Sequence, residues 1–316
     1  MRRVLPAIAL LSLAFAGCHA ARGVAATSVP APAPAPAAQN PSPMQERTRR
    51  HERLTQQPLD GISLRIDSVL PKPVDLFIPR QALGQHDVPL VIHFMGATWV
   101  PQTAAASMTT PVIIAATYLG GGSGVYARPF AADSLLFGRL VAAIRTRLAA
   151  VPQAPPINRV VLSGWSAGYG AIREILRVPS QAAAVNGVLL LDGLHTSYRP
   201  EGKPLADGGQ LDTLNLAPFA AFARRAIRGE TQLLITHSEI FPGTFASTTE
   251  CSDWLLQSLG LARTPVLEWG PLGTQLLSRT TRGGFTVLGF AGNTAPDHID
   301  LLHGMAAWLA PLVNAR

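Results

Sequence analysis

The apolar positions of this chain fall into short blocks separated by polar turns and by longer stretches of helical spacing. From Gly61 onward the blocks predict strands at 62–69, 74–78, 90–94, 112–117, 159–163, 187–191, 232–236 and 285–290. From Leu90 on most are continuously apolar, as in strands covered on both faces rather than one. Helical spacing predicts helices over 131–150, 168–178, 211–229, 249–261 and 299–312. Strand and helix therefore alternate, which argues for a mostly parallel, eight-stranded sheet with helices on both faces. The stretch 264–282 fits neither period and reads as a surface excursion or part of a cap.

The fifth strand leads into Gly164-Trp165-Ser166-Ala167-Gly168, and a helical pattern follows until Pro179. The order strand, G-x-S-x-G, helix is that of a nucleophile elbow. The sharp turn lifts the Ser166 hydroxyl to the top of the sheet at a helix N-terminus, and the glycines two residues to either side let strand and helix approach closely. The backbone N–H of Ala167 is then a candidate oxyanion donor. On these residues the chain from about Ile62 to its C-terminus resembles the α/β-hydrolase superfamily. The fold class expected is α/β, with the α/β-hydrolase arrangement of the sheet.

That resemblance implies the chain order serine, acid, histidine. His298 follows the last strand, in a loop ahead of the final helix, where the resemblance puts the base. His303 lies deeper in that helix and reads as a packing or surface residue. The acid has two candidates: Asp192, which closes the sixth strand, and Glu239, which follows the seventh. Asp192 is the preferred one, because a carboxylate ending an apolar strand is costly unless paired. Glu250, Asp253 and Asp297 read as helix caps or solvated charges. Gly96 and Ala97, after the third strand, occupy the place of a second oxyanion donor, with Met95 where the superfamily commonly has histidine. Trp99 and Trp165 flank this region as candidate pocket walls.

The remaining features are quieter. His195 and His237 lie just past the sixth and seventh strands and read as hydrogen-bonded loop histidines. The loop 120–124 lacks the ending of a phosphate-binding P-loop and reads as a mobile segment at the site rim. No ligand spacing points to a metal, and acyl transfer through Ser166 requires no cofactor. Cys251 reads as a small buried residue.

Composition bounds the rest. The 316 residues are 47% hydrophobic and 14% charged, which suits one large domain plus a tail. The formal charge is +7, but the arginines are scattered and the only lysines are Lys72 and Lys203. A nucleic-acid footprint needs clustering, so no nucleic-acid partner is expected. With two cysteines, Cys18 and Cys251, a disulfide framework is excluded.

At the N-terminus, a basic start and the apolar run 4–16 have the length of a signal-peptide core. They end in Phe15-Ala16-Gly17-Cys18, which resembles a bacterial lipobox with Cys18 as the lipidated residue. An ordinary signal peptide cleaved near Ala20-Ala21 is the alternative. Pro-Ala alternation over 30–36 forms a semi-rigid spacer, and 45–57 reads as a solvated linker or a loose helix. The expected organisation is a signal peptide over 1–17, a tether over 18–57 and the hydrolase domain over 58–316. The expected protein is an envelope lipoprotein, held to the membrane by its lipid, that cleaves small esters or amides. A ligand-binding member without catalysis, or a peptidase or amidase on the same fold, remains open.

Overall fold

The alternation of elements is explained by two apolar layers on opposite faces of one sheet. In the computed structural model, residues 51–314 are described; all belong to one compact unit spanning Met44–Arg316. The expected signal segment, Cys18 and the tether as far as residue 50 lie outside the described residues.

The strands are β1 (Gly61–Ile66), β2 (Val74–Pro79), β3 (Val88–Phe94), β4 (Ile113–Thr117), β5 (Ile157–Trp165) and β6 (Gly187–Leu191). They continue with β7 (Tyr198–Arg199), β8 (Gln210–Leu211), β9 (Gln232–His237), β10 (Thr264–Trp269), β11 (Gln275–Arg282) and β12 (Phe285–Phe290). The helices are α1 (Trp99–Ser107), α2 (Ser123–Ala132), α3 (Leu136–Ala149), α4 (Tyr169–Arg177) and α5 (Pro179–Ala183). After them come α6 (Thr213–Ile227), α7 (Thr248–Ser258), α8 (Ala295–His303) and α9 (Met305–Asn314).

The main sheet has the order β1-β2-β4-β3-β5-β6-β9-β12-β11-β10. Its six central strands, from β4 to β12, run parallel, and antiparallel pairs flank them on both sides. The sheet thus has ten strands rather than the expected eight. The two extra strands are β10 and β11, made from the stretch that fitted no period. The reason lies in their position. β10 is an edge strand exposed along nearly its whole length, and both pairings of β11 carry register shifts. Neither has the one-sided burial that produces alternation.

Inside the parallel strands the side chains do alternate, but between two apolar layers. Leu90, Ile92, Phe94, Leu162 and Leu190 face the core shared with α2, α3, α4 and α6. Val91, Val161, Leu189 and Leu191 face the core shared with α1, α8 and α9. A strand buried on both faces reads as an unbroken apolar run, as observed.

Several helix boundaries differ from expectation. The stretch 131–150 is divided between α2 and α3, because Asp133 breaks the helix and its carboxylate accepts from the Leu135 N–H at 2.9 Å. The final helix begins four residues earlier and is broken at Gly304, where an added Cβ would stand 2.8 Å from the Trp308 indole nitrogen. The early start follows from a capping box: Thr294 bonds back with Asp297, and Pro296 sits in the first turn. α1 was not expected from the sequence at all. Residues 51–54, expected as solvated linker, are fastened on α8. His51 Nδ1 and Arg53 Nε reach the buried Asp300 carboxylate at 2.6 and 3.2 Å, and the Leu54 N–H donates to His303 Nδ1 at 3.1 Å.

Candidate active site

Among the described residues, three of the six non-glycine residues with positive φ are Met95, Ser166 and Asp192, at φ 74°, 48° and 44°. They directly follow the C-terminal ends of β3, β5 and β6. Such conformations cost free energy, and their gathering at one edge of a parallel sheet marks the crevice where ligands bind in open α/β folds.

Ser166 begins a single 3₁₀ turn that runs into α4. The local sequence permits this only through its glycines. A Cβ on Gly168 would stand 2.1 Å from the Phe94 carbonyl oxygen, and one on Gly164 would stand 3.0 Å from Ile172. Gly193 is packed as closely, with the Ser166 carbonyl oxygen 2.9 Å from where its Cβ would be. The turn after β6 therefore lies directly against the serine's backbone.

Asp192 is buried, and its carboxylate is fully used. Oδ1 accepts from the Ser238 N–H at 2.9 Å and the Thr248 hydroxyl at 2.7 Å. Oδ2 accepts from the Ser238 hydroxyl at 2.6 Å and from His298 Nδ1 at 2.7 Å. Burial alone would raise this carboxyl, but the bonds from His298 and Ser238 outweigh it and hold the group well below the usual carboxylate range. Asp192 thus stays ionised and holds the imidazole with Nδ1 protonated. Nε2 is then the basic nitrogen of the ring, and it makes no hydrogen bond among the described residues, nor does the Ser166 hydroxyl.

His298 lies in the first turn of α8, not in a loop ahead of a helix as expected, because the Thr294 cap starts the helix early. The Trp165 indole stacks on its ring at 4.6 Å between centroids and donates to its carbonyl at 3.0 Å. Glu239 is exposed and takes no part in this cluster. Its N–H donates to the Gly292 carbonyl at 2.8 Å and its carboxylate accepts from the Gly292 N–H at 3.2 Å, which fastens the β12–α8 loop. Glu250 and Asp297 are the third residues of capping boxes, and Asp253 pairs with Arg263 at 2.6 Å.

The loop after β3 is anchored by a residue to which sequence reasoning assigned no role. His93 is buried in β3. Its Nε2–H donates to the Met95 carbonyl at 2.6 Å, and its Nδ1 accepts from the Ser163 hydroxyl at 3.0 Å. Burial drives its pKa down to about 4, only partly offset by the bond to Met95, so the ring is neutral. The signal was a lone histidine in an otherwise apolar strand, which needs partners. Gly96 follows at φ 98°, where a Cβ would stand 2.9 Å from Leu302. Ala97 lines the same cleft.

Ser238 and Thr248 were also missed, although the polar run after β9 hinted at them. His237 supports Ser238: its Nδ1–H donates to the Ser238 carbonyl at 3.1 Å, and its Nε2 accepts from Arg263 Nη1 at 2.6 Å. Burial, with Arg263 adding to it, lowers this histidine to about 4. His195 is a hydrogen-bonded loop histidine, with Nδ1 on the Ala246 carbonyl at 2.9 Å and Phe245 edge-on at 5.1 Å. Burial lowers its pKa as well. Cys251 is fully buried in α7, and burial raises its thiol pKa.

A cleft of about 740 Å³ opens at Trp165, the residue before the serine. Its lining combines Met95, Gly96, Ala97, Thr98 and Trp165 with Arg65, Lys72, Pro73, Asp75 and Tyr118. Trp99 is not part of its lining; it lies edge-on against His303 at 5.7 Å. Of the segment 120–124, Gly121 and Gly122 are exposed, and Ser123 packs against α4, where a Cβ on Gly170 would meet the Ser123 carbonyl oxygen at 2.5 Å. Among the described residues, the group able to converge on a metal ion is His51, Asp297 and Asp300. Arg53 already bonds Asp300, and the α8 cap already bonds Asp297. No helix among these residues is long and apolar enough to cross a membrane.

No protein-family model and no curated protein matches the chain. Solved structures do. One, of a protein abbreviated FAE, has 11% identity over 84% of this chain and 94% of that one, with a TM-score of 0.50. The chain has the α/β-hydrolase fold. The feruloyl esterase module from Clostridium thermocellum gives 11% identity, coverage of 83% and 91%, and a TM-score of 0.48. Siderophore hydrolase EstB from Aspergillus nidulans gives 13% identity, coverage of 83% and 98%, and a TM-score of 0.47. At such identities the likeness concerns the fold, and function has to be argued from the site.

Proposed function

We propose that this chain is a serine hydrolase of carboxylic esters that works through an acyl-enzyme on Ser166. The observation that carries the reading is the 2.7 Å bond between His298 Nδ1 and the buried, fully bonded Asp192, which leaves Nε2 basic at the crevice that holds Ser166. In this mechanism His298 Nε2 takes the hydroxyl proton as Ser166 Oγ attacks the ester carbonyl. Asp192 stabilises the imidazolium that forms. The N–H groups of Ala167 and Ala97 receive the oxyanion. The imidazolium then protonates the leaving alkoxide. Water, deprotonated by the same nitrogen, releases the acid and restores Ser166.

The preference for esters over amides rests on the fold resemblance, and an ester and amide series with matched acyl groups tests it. The nucleophile is tested with a fluorophosphonate probe. The wild-type protein should be labelled, and Ser166→Ala should be neither labelled nor active, losing a factor on the order of 10⁴ or more in turnover. An unlabelled wild-type protein would point instead to a ligand-binding member of the fold. On the motif ending at Cys18 we further propose a lipid anchor in the cell envelope; mass spectrometry of the mature N-terminus tests it.

A further inference from the structure

The cleft at Trp165, the residue before Ser166, has a chemically mixed lining. The loop after β3 contributes Met95, Gly96, Ala97 and Thr98. The strands β1 and β2 and the turn between them contribute two cations, Arg65 and Lys72, with Pro73 and Asp75, and Tyr118 follows β4.

Their charge is only partly answered. Lys72 is one of the two lysines in the chain, and among the described residues it has no carboxylate within ion-pair distance. Its Nζ lies over the Tyr118 ring at 5.4 Å from the centroid, and that ring is 49% exposed. A cation over an aromatic face keeps its full charge and part of its hydration, so it remains available to an anion. Arg65 pairs with Asp67 at 3.1 Å, but both side chains are more than 60% exposed, and such surface pairs are weak. The one carboxylate lining the cleft is Asp75, whose Oδ2 is engaged by the Thr98 hydroxyl at 2.7 Å. Arg65 therefore has Asp67 beside it and Asp75 opposite it across the β1–β2 pair, whereas Lys72 stands without a carboxylate partner, next to an exposed aromatic surface.

We propose that the part of the cleft formed by Lys72 and Tyr118 is a subsite for a carboxylate carried by the substrate, so that the preferred substrates are esters with an anionic group remote from the scissile bond. The inference rests on the serine-hydrolase reading of Ser166. Lys72 supplies the principal charge, Arg65 adds to the field, and Tyr118 provides a surface for the carbon chain between the two groups.

Two pairs of chromogenic esters test this. In one pair the carboxylate is on the acyl side: 4-nitrophenyl hemiglutarate against 4-nitrophenyl pentanoate. In the other it is on the alcohol side, with a carboxyphenyl butyrate against phenyl butyrate. In at least one pair the ratio of kcat/KM, charged over neutral, should fall about tenfold in Lys72→Glu and further with Arg65→Glu added, as expected when an attractive contact becomes repulsive. Lys72→Arg should largely keep the ratio. Added salt should lower it in the wild type and not in Lys72→Glu. The pair that responds tells which side of the ester the subsite holds. Ratios that stay the same in every variant, in a protein that still hydrolyses the neutral esters, would overturn the subsite alone. Absence of both hydrolysis and fluorophosphonate labelling in the wild type would instead overturn the reading on which it rests.

Discussion

The side chain of Trp165 holds His298 twice, by stacking on the ring at 4.6 Å and by donating its indole N–H to the backbone carbonyl at 3.0 Å. The residue that precedes the serine in the chain thereby fixes the histidine that would serve it, across 133 positions of sequence. Trp165→Phe keeps an aromatic face and loses the donor, whereas Trp165→Ala loses both. We expect turnover to fall roughly threefold in the first and at least roughly tenfold in the second, since small misplacements of a catalytic group are costly. The effect should appear in kcat and in the rate of fluorophosphonate labelling. Equal loss in both variants would mean that stacking contributes nothing.

Asp192 and Glu239 separate cleanly on their contacts. Asp192→Asn should lower turnover by roughly 10³ to 10⁴, because an amide presents a donor where His298 needs an acceptor and selects the wrong tautomer. Glu239→Gln, which touches only the Gly292 backbone, should cost less than about tenfold. Near-UV circular dichroism on both variants distinguishes lost chemistry from lost folding. A dead Glu239→Gln enzyme beside a nearly normal Asp192→Asn enzyme would reverse the assignment.

Two buried histidines set a stability profile. Burial holds the pKa of His93 and His237 down to about 4, against an ordinary value of 6.5. As pH falls below 6.5, the unfolded chain takes up protons that the folded protein refuses, so the stability they contribute is complete above about 6.5 and drains away toward about 4. From pH 7 to pH 5 each should withdraw roughly 2 kcal/mol, at 1.36 kcal/mol per unit. The depressed carboxyl of Asp192 works in the same direction but in a lower window: its contribution is lost only as pH falls below the ordinary carboxylate range. Urea unfolding at the two pH values measures the sum, and a flat profile would contradict it.

The segment fastened on α8 has its own consequence. Asp300 is fully buried and receives both His51 and Arg53. Removing a partner from a buried carboxylate is expensive, commonly about 3–5 kcal/mol. A chain beginning at residue 58 should therefore melt several degrees below one beginning at residue 44. Because α8 carries His298, the shorter chain should also show a lower kcat with little change in KM. Equal melting temperatures would show that the contacts with Asp300 are energetically neutral.

Much of the architecture was already legible from residue order alone. Unbroken apolar runs announced strands covered on both faces, and Gly164 and Gly168 around Ser166 announced a turn that no larger residue could make. These are local properties, written in periodicity and in side-chain size. What lay beyond the sequence depended on neighbours. β10 and β11 have little burial of their own and exist as strands because β12 offers a free edge. α8 starts early because Thr294 and Asp297 close on each other. Whether Asp192 or Glu239 meets His298 was open in the sequence, since both end strands at the same edge of the sheet. The packing of β6 beside β9 brings Ser238 and Thr248, 46 and 56 positions away, onto the Asp192 carboxylate, and brings His298 to it from 106 positions away. A hydrogen bond is made at a distance of about 3 Å, and only the folded chain sets distances between residues so far apart in sequence.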